Sequence, residues 1–368
     1  MDYRELDTPA LIIDEEKLLE NICFMQSYAD KNHVNLRPHT KTHKMPYLAK
    51  LQEEYGAKGI AVAKVGEAEV MADNGLKDIF IANEIVGGAK LKRIRELAKA
   101  VDISFGVDSI PQVSMVEEVF EGADKKAQVL IEIEVGENRS GVIKEEDFIN
   151  LVNHIKKCRN VHLKGIFSHD GHSYGADNVE HCKELFDESQ KRTLFFAKLA
   201  EELGCKLETV SIGSTPSSMF DFDIMKGITE LRVGTYILMD ASQGNAIGTY
   251  DRCAATVLTT VISRPTEERV ITDVGAKGIT MQTRNKGICA TKGLGVIKGY
   301  KDAYIHSVFD EHAIIYNKEL RDKIKIGDKL EIIPNHICPV CNLYDKAYLV
   351  SHDKVIKEIP ILCRGKLT

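Results

Sequence analysis

The stretch LRPHTKTHK, residues 36 to 44, gathers Arg37, His39, Lys41, His43 and Lys44 within nine positions. Lysine is the residue here whose amine can form an imine with an aldehyde, and it attacks only when neutral. Burial and nearby positive charge both lower a lysine pKa and favour that form, so Arg37, His39, His43 and Lys44 are the expected tuning charges for Lys41. A second constellation, PNHICPVCNLYD (334–345), offers the imidazole of His336 and the thiol of Cys338. In an extended segment residues i and i+2 share one side, with Cα atoms about 7 Å apart, a span that zinc bonds of about 2.0–2.3 Å can bridge. Cys341 completes a C-P-V-C and opens two alternatives, a redox pair or a third metal ligand; no second CxxC is present for a four-thiolate site. A third stretch, SHDGHSYG (168–175), carries His169, Asp170, His172 and Tyr174. A histidine there can act as general base because its pKa lies near neutral pH, and His172 is the favoured candidate.

The elements that must position these groups alternate. Short apolar or β-branched runs occur at 35–39, 59–63, 78–83, 101–106, 129–136, 161–167, 209–213 and 230–234, and amphipathic segments such as 65–76 and 87–100 lie between them. Eight strand-then-helix repeats predict an α/β fold, a (β/α)8 barrel, over residues 12–245. An open doubly wound sheet has the same alternation, but no G-x-G-x-x-G follows the first strand. From 246 onward, Val-, Ile- and Thr-rich runs broken by Gly, Pro and Asp predict a mostly β domain, to which residues 1–11 are assigned.

In a barrel, chemistry sits where strands end, and phosphate sites favour the loops after strands seven and eight. Lys41 lies two residues past the first strand. GSTPSS after the seventh strand supplies Gly213, Ser214 and Thr215, and RVGTY after the eighth supplies Gly234, Thr235 and Tyr236. Glycine lets backbone N–H groups approach an anion, and small hydroxyls add donors.

At 368 residues, with 43% hydrophobic and 28% charged residues, the chain can bury a large core. A net charge of −6 argues against a nucleic-acid or anionic-membrane partner. The acidic N-terminus lacks a basic region followed by an apolar run, and no run of eighteen apolar residues occurs, so a cytoplasmic location is expected, with most of the nine cysteines reduced and buried.

RPHTKTHK closely resembles the cofactor-lysine motif of the D-threonine aldolase and D-serine dehydratase family, an alanine-racemase-like branch of fold-type III enzymes that use pyridoxal 5'-phosphate (PLP). The resemblance covers nearly the whole chain. It implies that Lys41 carries the cofactor as a Schiff base and moves the proton at the substrate Cα. It also implies that Ser214, Thr215, Gly234, Thr235 and Tyr236 surround the phosphate, with Tyr174 among the cofactor contacts. EVGENRSGV (134–142) is similar to the G-x-N-R-x-G segment of these enzymes, whose arginine meets the cofactor's phenolic oxygen, here Arg139. The family also places a divalent metal on a histidine at the position of His336, with an aspartate or a cysteine as second ligand. Cys338 is then the second ligand, and thiolate softness favours Zn²⁺ over Mn²⁺. The implied activity is retro-aldol cleavage of a 3-hydroxy D-amino acid by a homodimer, with D-serine dehydration as the alternative and racemase or PLP-carrier functions further behind.

Overall fold

The computed structural model describes all 368 residues, grouped into two compact units: 25–41, 46–234 and 365–368 form one, and 1–24, 42–45 and 235–364 the other. The strand β1 (Ala10–Asp14) belongs to the second unit.

The first unit is built on β2 (Asn35–Leu36), β3 (Ile60–Val62), β4 (Asp78–Glu84), β5 (Asp102–Val107), β6 (Ala127–Ile133), β7 (Val161–Ser168), β8 (Thr209–Ile212) and β9 (Glu230–Leu231). Each of the eight expected runs overlaps one of them. All pairings are parallel, in the order β2-β9-β8-β7-β6-β5-β4-β3. The ring closes at the start: His39 bridges Ala61 in parallel, Ala61 N donates to Pro38 O and Thr40 N to Ala61 O, each 2.8 Å. The barrel strands are apolar almost continuously because both faces are covered. The helix Glu145–Lys157 shows why the outer layer forms: Phe148, Leu151, Val152 and Ile155, at spacings of three, four and seven, are buried. Its first turn carries Glu145, Glu146 and Asp147 and its last turn His154, Lys156 and Lys157, which suits the helix dipole.

Inside the barrel, Ala61, Phe80, Leu130 and Phe167 pack together, with Phe80 and Phe167 edge to face at 5.1 Å. Arg37, expected as a tuning charge for Lys41, is also buried and is paired with two carboxylates. Its Nε lies 2.6 Å from Glu230 and its Nη1 2.8 Å from Asp78, so two carboxylates neutralise it as a structural tie between strands.

The second unit carries β10 (Ala255–Ser263), β11 (Arg269–Thr272), β12 (Gly295–Ile297), β13 (Ile305–Val308), β14 (Ala313–Tyr316), β15 (Lys329–Pro334), β16 (Lys346–Ser351) and β17 (Lys354–Pro360). With β1 they form one sheet of nine strands. β1 runs antiparallel to β10, with Ala10 opposite Leu258, and parallel to β16, with Leu11 opposite Ala347. These spans differ from the expected 12–245 and 246–368, for two physical reasons. β1 is hydrogen-bonded on both sides within the β sheet, so residues 12–14 go with it. The turn Thr235–Ile237 and helix Ala241–Ile247 lie in the same unit, where the Asn21 side-chain amide donates to Ile237 O at 3.2 Å and to Arg252 O at 2.9 Å. No helix is long and apolar enough to cross a membrane.

Candidate active site

In the barrel unit the chain passes from β2 through the closing bridge and delivers Lys41 immediately beyond it. Thr40 is pinned by both its N–H and its hydroxyl to Ala61 O, at 2.8 and 3.1 Å, and the Lys41 N–H donates to His39 Nδ1 at 3.5 Å. His39 is buried, and burial first, then the positive charges of Lys41, Arg232, His169 and Arg139, hold its pKa well below the usual histidine range. It is therefore neutral, which removes it from the expected set of cations. His43, in the other unit, accepts the Met45 N–H at Nδ1 (3.1 Å) and so has that nitrogen unprotonated. Arg139 and Arg232 join Lys41 in the surroundings of His39, on which all three charges act.

Arg232 is fully buried, with Nη1 donating to Ser211 Oγ at 2.7 Å and Nη2 to Ser168 O at 2.9 Å, while its guanidinium faces the rings of Phe80 and Phe167. Burial lowers its pKa to about 10, which still leaves it charged at neutral pH. Arg139 is carried by the loop after β6, a turn organised by the Glu134 carboxylate, which accepts the N–H groups of Gly136 (2.6 Å) and Asn138 (2.8 Å). That turn aims Arg139 at Glu132 (3.3 Å) and Glu137 (3.4 Å). Glu132 in turn takes the Ser140 hydroxyl at 2.7 Å and shares a proton with Glu84, whose carboxyl is pushed up by burial and by its hydrogen bond to Glu132.

His169 meets Glu137 through Nδ1 at 2.8 Å. A carboxylate accepts only, so Nδ1 carries the proton and Nε2 the lone pair, the arrangement of an oriented general base. Burial lowers the His169 pKa, opposed by Glu137 and reinforced by Lys41 and Arg139, so the base form persists below the ordinary histidine range. His172, the candidate preferred from the sequence, lacks such a partner: its Nδ1 is buried with no hydrogen bond. Its ring lies over Gly136, where an added Cβ would come within 3.0 Å of Nε2, and Gly136 has φ +125°. Only glycine fits there. Tyr174 lies on the same short turn, Gly171–Gly175.

After β8, Gly213 (φ +149°) runs against the Arg232 carbonyl and leads into a nest of buried hydroxyls. Ser214 contacts Ser173 and Ser217, each at 3.1 Å, and Ser217 donates to Asp170 at 2.8 Å; Thr215 is buried beside them. Asp170 Oδ1 has no partner. Buried hydroxyls, unpaired buried polar atoms, two arginines and a lysine at a strand end suit a phosphorylated aldehyde such as PLP. Gly234 ends the barrel unit, whereas Thr235 and Tyr236 begin the stretch assigned to the β unit.

In the β unit, the His336–Cys338 segment is not extended. His336 is the N-cap (φ −143°, ψ 108°) of a short helix, Ile337–Cys341, so Cys338 occupies its first turn. The sequence permits this because Pro339 also falls in that turn, where a missing N–H is tolerated. The helix start is fixed from afar: buried Asp240 accepts the Ile337 N–H at 3.1 Å as well as that of Gln243 at 2.9 Å. Burial raises Asp240 to about 6. Cys338 Sγ lies 3.3 Å from Thr42 Oγ1 and 3.7 Å from Thr235 Oγ1, and His336 Nδ1 lies 3.0 Å from Gln282 Oε1. An imidazole with its Nδ1 proton held by an amide oxygen, next to a partly exposed thiol, is a donor pair suited to zinc. Cys341 is fully buried and burial pushes its thiol well up, so it is poorly suited to act as a thiolate ligand. No group of three or more His, Cys, Asp and Glu side chains is positioned to hold a metal ion.

Residues 13–242 match the alanine racemase N-terminal domain family, and residues 254–350 match a putative serine dehydratase domain. The matched domains and the fold therefore define a fold-type III, PLP-dependent enzyme class. Within that class the chain belongs to the D-threonine aldolase and D-serine dehydratase family of lyases. It is 32% identical to D-threonine aldolase of Arthrobacter sp, over 98% of this chain and 93% of that protein. A solved D-threonine aldolase from Filomicrobium marinum superposes with TM-score 0.92 at 28% identity, covering 100% of this chain and 98% of that one. A D-threo-3-hydroxyaspartate dehydratase from Delftia sp. HT23 gives TM-score 0.91 at 25% identity over 98% of both chains.

Glu137, Arg232, Asp240 and Gln282 escaped the sequence reading. Glu137 lies inside the GENRSG segment and could have been found from it, since a carboxylate two residues before the arginine is a natural partner. Arg232 opens the RVGTY segment, but its role, like those of Asp240 and Gln282, depends on long-range packing.

Proposed function

We propose that this lyase uses PLP and a divalent metal to cleave 3-hydroxy D-amino acids by a retro-aldol reaction, giving glycine and an aldehyde from D-threonine. The observation that carries the aldolase reading is the Glu137–His169 pair beside Lys41. Retro-aldol cleavage begins with loss of the β-hydroxyl proton, which calls for an oriented neutral base; dehydration calls instead for loss of the Cα proton and departure of hydroxide. His169, with its Nδ1 proton held by Glu137, offers Nε2 for the hydroxyl proton. The similarity to D-threonine aldolase supports the same choice.

When bound, PLP supplies an electron sink for the pair released at Cα, and the metal supplies a Lewis acid for the hydroxyl oxygen. Lys41 provides the amine that holds the cofactor, and Ser214, Thr215, Gly234, Thr235 and Tyr236 are assigned to its phosphate. Arg139, held between Glu132 and Glu137, keeps positive charge near the lysine, and Tyr174 is placed beside the cofactor. Arg232 adds a second cation that the Phe80 and Phe167 rings shield from water. His336 and Cys338 are the proposed metal ligands, with zinc favoured by the thiol. A solved D-threo-3-hydroxyaspartate dehydratase carrying a Cys-to-Ala change is in a metal-free form, which supports a thiol ligand in that relative. A homodimer in the cytoplasm completes the proposal.

Two substrates separate the reactions. D-threonine should yield glycine and acetaldehyde, and D-serine should yield little pyruvate or ammonia. Pyruvate from D-serine with D-threonine untouched would reverse the assignment to dehydratase. Treatment with EDTA should remove most activity and leave the cofactor's visible absorbance in place; activity unaffected by chelation would refute a catalytic metal.

A further inference from the structure

Gln282 sits on the loop between Ile279 and Gly295, outside every motif in the sequence. Its amide oxygen faces His336 Nδ1 at 3.0 Å. Asn335, adjacent to His336, staples the two ends of this loop: its side-chain amide donates to Gln282 O at 3.1 Å and to Gly293 O at 2.8 Å. Within the loop, Thr291 N donates to Arg284 O (2.8 Å), Arg284 N donates to Thr291 Oγ1 (3.1 Å), and the Asn245 amide holds Ala290 O (2.5 Å). The excursion is thus braced at several points, and one of its side chains is returned to the imidazole.

We infer that Gln282 is a positioning residue that sets the tautomer of His336 and so its affinity for a divalent metal. The inference rests on the proposed role of His336 as a ligand. An amide has one accepting and one donating end. With the oxygen towards Nδ1, the imidazole proton stays on Nδ1 and the lone pair is on Nε2. Turned over, the amide would donate to Nδ1 and move the proton to Nε2, which could then no longer bind a metal. A neutral amide also makes the ring less basic than a carboxylate partner would, so the site holds metal less tightly than a glutamate at 282 would allow. Gln282 is exposed, so replacing its side chain should leave the fold intact.

The test is Zn²⁺ affinity of the full-length protein, measured by competition with a chromophoric chelator. Gln282→Ala should weaken binding by about 10–100-fold. Gln282→Glu should restore or exceed the wild-type value, and Gln282→Lys, a donor of similar length, should be at least as weak as the alanine variant. Thr283→Glu, which places the same charge on an exposed neighbour, should match wild type. Equal affinity in all Gln282 variants, equal losses in the Glu and Lys variants, or the same gain from Thr283→Glu would each overturn the inference. His336→Ala separates it from the reading beneath it. If that variant binds zinc as wild type does, His336 is not a ligand; if it loses zinc while every Gln282 variant keeps it, only the role of Gln282 falls.

Discussion

The surroundings of Lys41 and of Cys338 differ in kind. Lys41 sits among ionised or ionisable groups, with Arg139, Arg232, Glu137, Glu132, Glu84, His39 and His169 linked by short contacts and by mutual effects on their pKa values. Cys338 and His336 take neutral hydrogen-bond partners, the hydroxyls of Thr42 and Thr235 and the amide of Gln282, while the buried Asp240 carboxyl acts on both through its charge. A charged network in a low-dielectric interior controls where protons reside. Neutral hydrogen-bonding partners control orientation and leave a ligand's charge available to a metal. The barrel end is thus built to manage protons, and the β-unit segment to present ligands.

The largest effect should come from breaking the proton-managing side. His169→Ala should lower kcat/KM with D-threonine by about 10²–10⁴-fold, the usual contribution of a general base; a loss below about tenfold would remove His169 from that role. Next is the ion pair beneath the barrel. Arg37→Ala would leave Glu230 buried without its cation, and chemical unfolding should show a loss of about 3–5 kcal/mol. A loss under about 1 kcal/mol would mean that water reaches Glu230.

Glu137→Gln sharpens the comparison through pH. The acid limb of kcat/KM should lie below about 6.5, because His169 must be neutral and its folded pKa is lowered. Removing the Glu137 anion removes the interaction that favours the imidazolium, so the limb should move to still lower pH while the maximal rate falls. An upward shift would contradict the pairing. The smallest effect is expected from Cys341→Ala, which should leave zinc stoichiometry unchanged and cost about 1–2 kcal/mol of stability. Loss of metal from that variant would return Cys341 to the ligand set.

Much of this is legible in the amino-acid sequence. The eight barrel strands could be placed because β-branched runs alternate with helical periods, and Lys41 could be placed because the first strand ends just before it. Arg37 and His39 are neighbours of Lys41 in sequence, but Arg37 pairs with Glu230 and Asp78, the first residues of β9 and β4, and burial keeps His39 neutral. Arg139 and Arg232, which act on His39 together with Lys41, come from distant strand ends, and spacing cannot reveal such proximity. The helix at Ile337–Cys341 was hidden for a similar reason: Asp240, the residue that caps it, lies 97 positions away. The choice between His169 and His172 depended on Glu137, whose reach is set by the turn around Glu134.

The central claim is the covalent seat of the cofactor on Lys41. Borohydride reduction of the PLP-loaded protein, followed by proteolysis and mass spectrometry of the peptides, should place a single phosphopyridoxyl group on Lys41 in the segment Leu36–Lys44. A label on any other lysine, or none at all, would contradict it.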